Sequence, residues 1–217
     1  GITRSCGSVV RSLSAPTFEQ IAELNREAME LAERFPEYLP GLNVHGKYPE
    51  ESCREIETLA KTGKIVWIGE LVGYIMDYPS YATPEMYQIY ELAQHLDLPV
   101  NIHPYGLDEI AKVCENFPRL KVVVAHPGSG RNDILTRFEF MVKHENAYLD
   151  LSGSGVFRWG MLRHGINMAG SHKFLFGTDF PLCNPALILE GVRFEHLTDD
   201  ELAAVCSGNF KRLTGIK

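Results

Sequence analysis

Several absences narrow the reading of this chain before any of its motifs do. It has no C-x-x-C pair, and its five cysteines, Cys6, Cys53, Cys114, Cys183 and Cys206, are odd in number and scattered. That excludes a disulfide framework and a zinc finger, and it suits a reducing compartment, so a cytoplasmic location is expected. No run approaches the roughly 18 apolar residues of a membrane span, and no charged-then-apolar segment opens the sequence. Membrane partners are therefore not expected. Basic residues are in deficit, 21 Lys and Arg against 28 Asp and Glu for a formal net charge of −7, which leaves no electrostatic footprint for nucleic acid. Neither G-x-G-x-x-G nor a P-loop occurs, so the glycine-rich phosphate turns of dinucleotide and nucleotide folds are missing too. A small-molecule substrate is the expected partner, and a homo-oligomer is left open.

What is present reads as a globular α/β chain. The 217 residues are 45% hydrophobic and 23% charged, enough to bury a large core as one domain over residues 1–217. The sequence opens at Gly1 rather than Met, and a processed or truncated product is expected from that. Thr17 with Gln20 forms a capping-box start for an amphipathic helix over Thr17–Arg34. Further helices are expected over Glu50–Thr62, Pro84–Leu96 with Thr83 as cap, Leu107–Asn116, Ile134–His144, Arg158–Met168 and Asp199–Leu213, the last opened by Thr198 and Glu201. Between them lie short apolar runs without polar alternation, as strands covered on both faces have. These are Ser8–Val10, Leu39–Val44, Ile65–Gly69, Pro99–Ile102, Lys121–Ala125, Ala147–Leu151 and Phe174–Gly177. Strands alternating with helices in this way predict parallel β/α architecture, and the lack of a phosphate turn favours a (β/α)8 TIM-barrel type over a doubly wound sheet. Seven strands are one short of the usual eight.

Four of these runs lead into a residue that can bind a metal or move a proton: Glu70, His103, His126 and, just past Thr178, Asp179. In a barrel, such strand ends meet at one opening, so the four are expected to converge. Imidazole and carboxylate donors suit Zn²⁺ first, with Mn²⁺ and Fe²⁺ as alternatives. A carboxylate such as Asp179 could take a proton from a metal-activated water, and His126 could polarise a carbonyl or donate to a leaving group. Each residue also has a plainer reading: Asp179 as a turn cap, Glu70 in an ordinary ion pair, either histidine as a hydrogen-bonded strand end. Asp150 in "YLDLSG" and His45 in "NVHGK" read as structural. Arg131, in "HPGSGR", is a candidate clamp for a substrate carboxylate.

The motifs "IGE", "NIHP", "AHPG", "YLDLSG", "FLFGTDFP" and the closing "NFKRLTG", taken in order and spacing, resemble the amidohydrolase-related family of metal-dependent TIM-barrel hydrolases. The resemblance spans about Gly1 to Lys217. It implies His103 as a metal ligand, His126 as the histidine that assists catalysis or holds a second metal, Asp179 as ligand and general acid/base, and Glu70 as a metal-site or substrate-contacting group. It implies hydrolysis of a small polar carbonyl compound such as an amide or lactone, with non-oxidative decarboxylation as the alternative. The family's first strand carries His-x-His, and no H-x-H occurs in this sequence. "GITRSCGSVV" resembles the second strand, so a first β/α unit, on the order of 40 residues, is expected to be missing. A truncated enzyme, a site rewired around the four remaining groups, and a non-catalytic relative without metal are the three readings that follow.

Overall fold

The computed structural model describes residues 1–217, which pack as two compact units, Gly1–Val122 and Val123–Lys217. Along the first unit run β1 (Ser5–Gly7), α1 (Phe18–Arg34), β2 (Tyr38–Leu42), α2 (Pro49–Ala60), β3 (Trp67–Leu71), α3 (Gly73–Met76), α4 (Pro84–His95), β4 (Val100–Ile102) and α5 (Leu107–Asn116). β1 pairs with β2, β2 with β3 and β3 with β4, all parallel. Helices connect them as parallel strands require. Ile21 and Leu24 of α1, Ile56 of α2, Ile89 of α4 and Ile110 of α5 are buried with Leu42, Ile68, Val100 and Ile102 of the strands.

Local chemistry sets the helix starts. Thr17 caps α1, with its hydroxyl accepting from the Gln20 N–H and the Gln20 side chain accepting from the Thr17 N–H. Thr83 caps α4 with Pro84 in the first turn. Two strands lie elsewhere than the apolar runs predict. β1 is Ser5–Gly7 rather than Ser8–Val10, because the Val9 carbonyl is taken by the Asn43 side-chain amide at 2.8 Å instead of a strand partner. β3 begins and ends two residues later than Ile65–Gly69, so Glu70 lies within the strand.

His45 follows β2 and is 2% exposed. Its Nδ1 accepts from the Lys47 N–H at 3.0 Å, so Nε2 carries the proton and donates to the Met76 carbonyl at 2.9 Å. The ring stacks on Tyr78, centroids 4.6 Å apart. Burial lowers the His45 pKa, Lys47 adds to this, and the Met76 carbonyl and Asp77 oppose it. Between its unfolded value near ~6.5 and the lower folded one, the unfolded chain binds a proton that the folded chain refuses. Stability is therefore expected to fall as pH drops below about 6.5, by at most ~1.4 kcal/mol per pH unit from this group, and to level off below the folded pKa. His172 is shifted the same way, so the measurement is a difference: urea unfolding of wild type and His45→Asn between pH 7.5 and 5, with the variant showing the shallower slope.

The second unit begins within β5 (Val122–Val124) and continues through α6 (Arg131–Lys143), β6 (Ala147–Asp150), α7 (Met161–Ala169), β7 (Phe174–Leu175), α8 (Pro185–Arg193), α9 (Asp199–Ala203) and α10 (Asn209–Thr214). β6 and β7 are parallel. Phe138, Met141, Leu149, Leu162, Phe174 and Val205 form its core. Thr198 and Glu201 make the expected capping box on α9. A π-turn at Ala204–Gly208 joins α9 to α10, and its Val205 carbonyl accepts from the Phe176 N–H at 2.9 Å. Asn209 of "NFKRLTG" clamps β7 by donating to the Ser171 and Phe174 carbonyls, each at 2.8 Å. The buried Lys173 ammonium donates to the carbonyls of His144, Glu145 and Ala147 just past α6, at 3.1, 2.6 and 3.1 Å. No helix is long and apolar enough to cross a membrane.

Candidate metal and proton-transfer site

In the first unit, the site is made by an irregularity between β3 and β4. Ile68 pairs with Val100 and Leu71 with Ile102, so β3 has one residue more than β4 over that stretch. Gly69 takes up the excess at φ +98°, a conformation favoured by glycine. A Cβ there would lie 2.3 Å from the Asn101 carbonyl oxygen. Beyond the bulge, the His103 N–H donates to the Leu71 carbonyl at 2.9 Å, and Glu70 Oε1 comes within 2.8 Å of His103 Nδ1. The two side chains are 22% and 23% exposed. Tyr81 secures the turn after β3, accepting from the Gly73 N–H and donating to the Leu71 carbonyl. The Tyr74 ring meets the His103 ring edge-on at 5.2 Å.

This pair fits a divalent cation. It offers one imidazole and one carboxylate, adjacent and incompletely buried, the donor types of zinc and manganese sites. With Glu70 Oε1 2.8 Å from Nδ1, the pair sets an oxygen and a nitrogen donor side by side, as two ligands of one ion require.

In the second unit, His126 follows β5 and sits at φ +66°. Its Nδ1 lies 3.0 Å from the Ser152 carbonyl and 2.9 Å from the Ser152 hydroxyl. A carbonyl only accepts, so Nδ1 carries the proton and Nε2 is the basic nitrogen of the neutral ring. The Ser152 hydroxyl in turn donates to Asp150 Oδ1. Asp150 Oδ1 also accepts from the Ser152 N–H at 2.9 Å and from the His126 N–H at 3.5 Å. Arg137 donates to the His126 carbonyl at 2.5 Å. Burial lowers the Arg137 pKa, against the pull of Asp133 and Asp150. A Cβ on Gly153 would lie 2.5 Å from His126 Nδ1 and 3.0 Å from Asp179 Oδ2, so the imidazole and the carboxylate flank this glycine. Asp179 has φ +54°. Two non-glycine residues held in the left-handed region beside one glycine mark a backbone held under strain, a common property of working sites.

Each unit thus brings two of the expected residues together, Glu70 with His103 and His126 with Asp179. Arg131 opens α6 and is exposed. The arginine in contact with a site residue is Arg137, six positions on, which the sequence did not single out. Asp150, read as structural, and Ser152 are the groups that orient His126. The only sequence signal for them is their alternation in "YLDLSG".

The chain has no match among curated proteins. Solved structures resemble it in fold. The 2,6-dihydroxybenzoate decarboxylase from Rhizobium matches with a TM-score of 0.72 at 16% identity, over 91% of this chain and 77% of that one. A 5-carboxyvanillate decarboxylase from Novosphingobium aromaticivorans, complexed with manganese and 4-hydroxy-3-methoxy-5-nitrobenzoic acid, matches with 0.73 at 14% identity, over 99% and 77%. An uncharacterised TIM-barrel protein from Bordetella bronchiseptica matches with 0.68 at 18% identity, over 88% and 72%. At these identities the likeness is one of fold, and that fold is the TIM-barrel type of α/β architecture expected from the strand and helix pattern. The amidohydrolase family model matches residues 11–216, nearly the whole sequence, and the chain therefore belongs to the amidohydrolase family.

Proposed function

We propose that the protein is a metal-dependent hydrolase of a small polar carbonyl compound, an amide or a lactone. The observation that carries this reading is the Glu70–His103 pair, 2.8 Å apart beyond a glycine bulge. His103, Glu70 and Asp179 are assigned as metal ligands, with Zn²⁺ the first choice and Mn²⁺ or Fe²⁺ the alternatives. A bound ion of this kind supplies Lewis-acid polarisation and lowers the pKa of the water it binds to about 7. Asp179 receives the proton of the attacking water and returns it to the leaving group. His126, protonated at Nδ1 and held there by Ser152, works through Nε2: as a base when neutral, and as a donor once it becomes imidazolium. Arg131 is assigned to a substrate carboxylate.

Decarboxylation on the same scaffold is the second reading, favoured by the decarboxylases among the structures of like fold. The two reactions differ in what becomes of water. Turnover in H₂¹⁸O is expected to place one ¹⁸O in the product carboxylate with no CO₂ released. Stoichiometric CO₂ without ¹⁸O uptake would replace the hydrolase reading with the lyase one. Protein that takes up no divalent metal on dialysis against Zn²⁺ or Mn²⁺ would remove both.

A further inference from the structure

The second unit exposes more large apolar side chains than its fold uses. Phe157, Trp159, Leu187 and Phe194 are 73%, 68%, 72% and 70% exposed. Isolated exposed apolar residues are ordinary, but a contiguous set lining a concavity is not. With Val156 and Ile188 these four wall a groove of about 420 Å³ between the loop after β6 and helix α8, within the size range of small-molecule sites.

Three further observations specify its occupant. Gly153, the residue between His126 and Asp179, also lines the groove, so the concavity is continuous with the pair assigned to proton transfer. Three of its polar groups, the Glu195 carboxylate, the Asn184 side-chain oxygen and the Trp159 indole, are already engaged. Glu195 accepts from the Gly160 and Arg163 N–H groups at 2.8 and 3.1 Å, which caps α7. Asn184 accepts from the Ala186 N–H at 2.9 Å, which caps α8, and the Trp159 indole donates to the Phe194 carbonyl at 3.2 Å. Finally, no lysine or arginine lines the groove whereas Glu195 does, so an anionic group there would meet a like charge.

We propose that this groove binds an uncharged apolar arm of the substrate, of about ring size, while the carbonyl end reacts beside Gly153. The assignment rests on the functional reading above for what reacts, but the groove is tested separately from the metal. Remote apolar contact of this kind positions the reacting bond and sets which acyl or leaving groups are accepted.

The probe is N-phenyl-1-naphthylamine, neutral and fluorescent in apolar surroundings. Trp159, which lines the groove, serves as the adjacent energy donor. Saturable binding at one probe per chain is expected in wild type and unchanged in His103→Ala. Leu187→Asp is expected to raise Kd at least about tenfold with the same thermal midpoint, and the probe is expected to raise KM of the metal-loaded enzyme without changing kcat. Failure of the metal reading appears as metal and turnover retained in His103→Ala while the probe still binds. The groove assignment is overturned by absence of saturable binding, by a Leu187→Asp Kd equal to wild type, or by bound probe that leaves KM unchanged. Sedimentation showing that the probe dissociates a dimer would also overturn it, by making a second copy of this chain the occupant.

Discussion

Asp179→Asn is expected to lower kcat/KM by roughly 10²–10⁴-fold, the range for loss of a positioned general acid/base, while leaving the fold intact. The substitution is nearly isosteric, and asparagine tolerates the left-handed backbone that Asp179 adopts at φ +54°. The turn after Asp179 is held by its backbone carbonyl, which accepts from the N–H groups of Leu182 and Cys183 at 2.8 and 3.2 Å, and these bonds survive the change. What is lost is the charge. Steady-state kinetics on metal-loaded protein, alongside a thermal melt, separate the two contributions. Turnover within about threefold of wild type would remove Asp179 from the chemistry.

Gly69→Ala is expected to cost roughly 2–6 kcal/mol of stability. Two terms contribute, ~1–3 kcal/mol for a left-handed non-glycine backbone and ~1–3 kcal/mol for overpacking. The new Cβ would stand 2.3 Å from the Asn101 carbonyl oxygen and 2.8 Å from the Leu71 nitrogen. Both neighbours are backbone in paired strands, so neither can swing aside as a flexible side chain would. Urea unfolding followed by circular dichroism measures the loss, and a change under about 1 kcal/mol would mean that the bulge relaxes freely. Because the bulge carries Glu70 to His103, metal affinity should fall in any fraction that does fold.

The parts of the fold readable from sequence are those set by neighbours along the chain. Thr17 with Gln20, Thr83 before Pro84, and Thr198 with Glu201 each announce a helix start over three or four residues, and each caps as expected. α8 opens with the same chemistry, Asn184 as cap and Pro185 in the first turn, although the sequence reading includes no helix there. β-propensity favours Ser8–Val10 for β1, although a distant asparagine decides where pairing stops. The candidate residues stand out by type at strand ends. Their orientation does not, because the Ser152 contact with His126 spans 26 residues and the left-handed backbone of His126 and Asp179 has no signature in side-chain identity.

Asp150 has a consequence for how such a site can diversify. One carboxylate oxygen gathers the His126 N–H and both donors of Ser152, which fixes the histidine from behind, before the chain enters the loop that starts at Gly153. The alignment of the imidazole is therefore largely independent of the segment 154–160 that walls the groove. Insertions, deletions and side-chain changes in that segment can accumulate while the imidazole keeps its place. The wall of the groove and the orientation of the imidazole can then be inherited separately, with Asp150 as the joint between them.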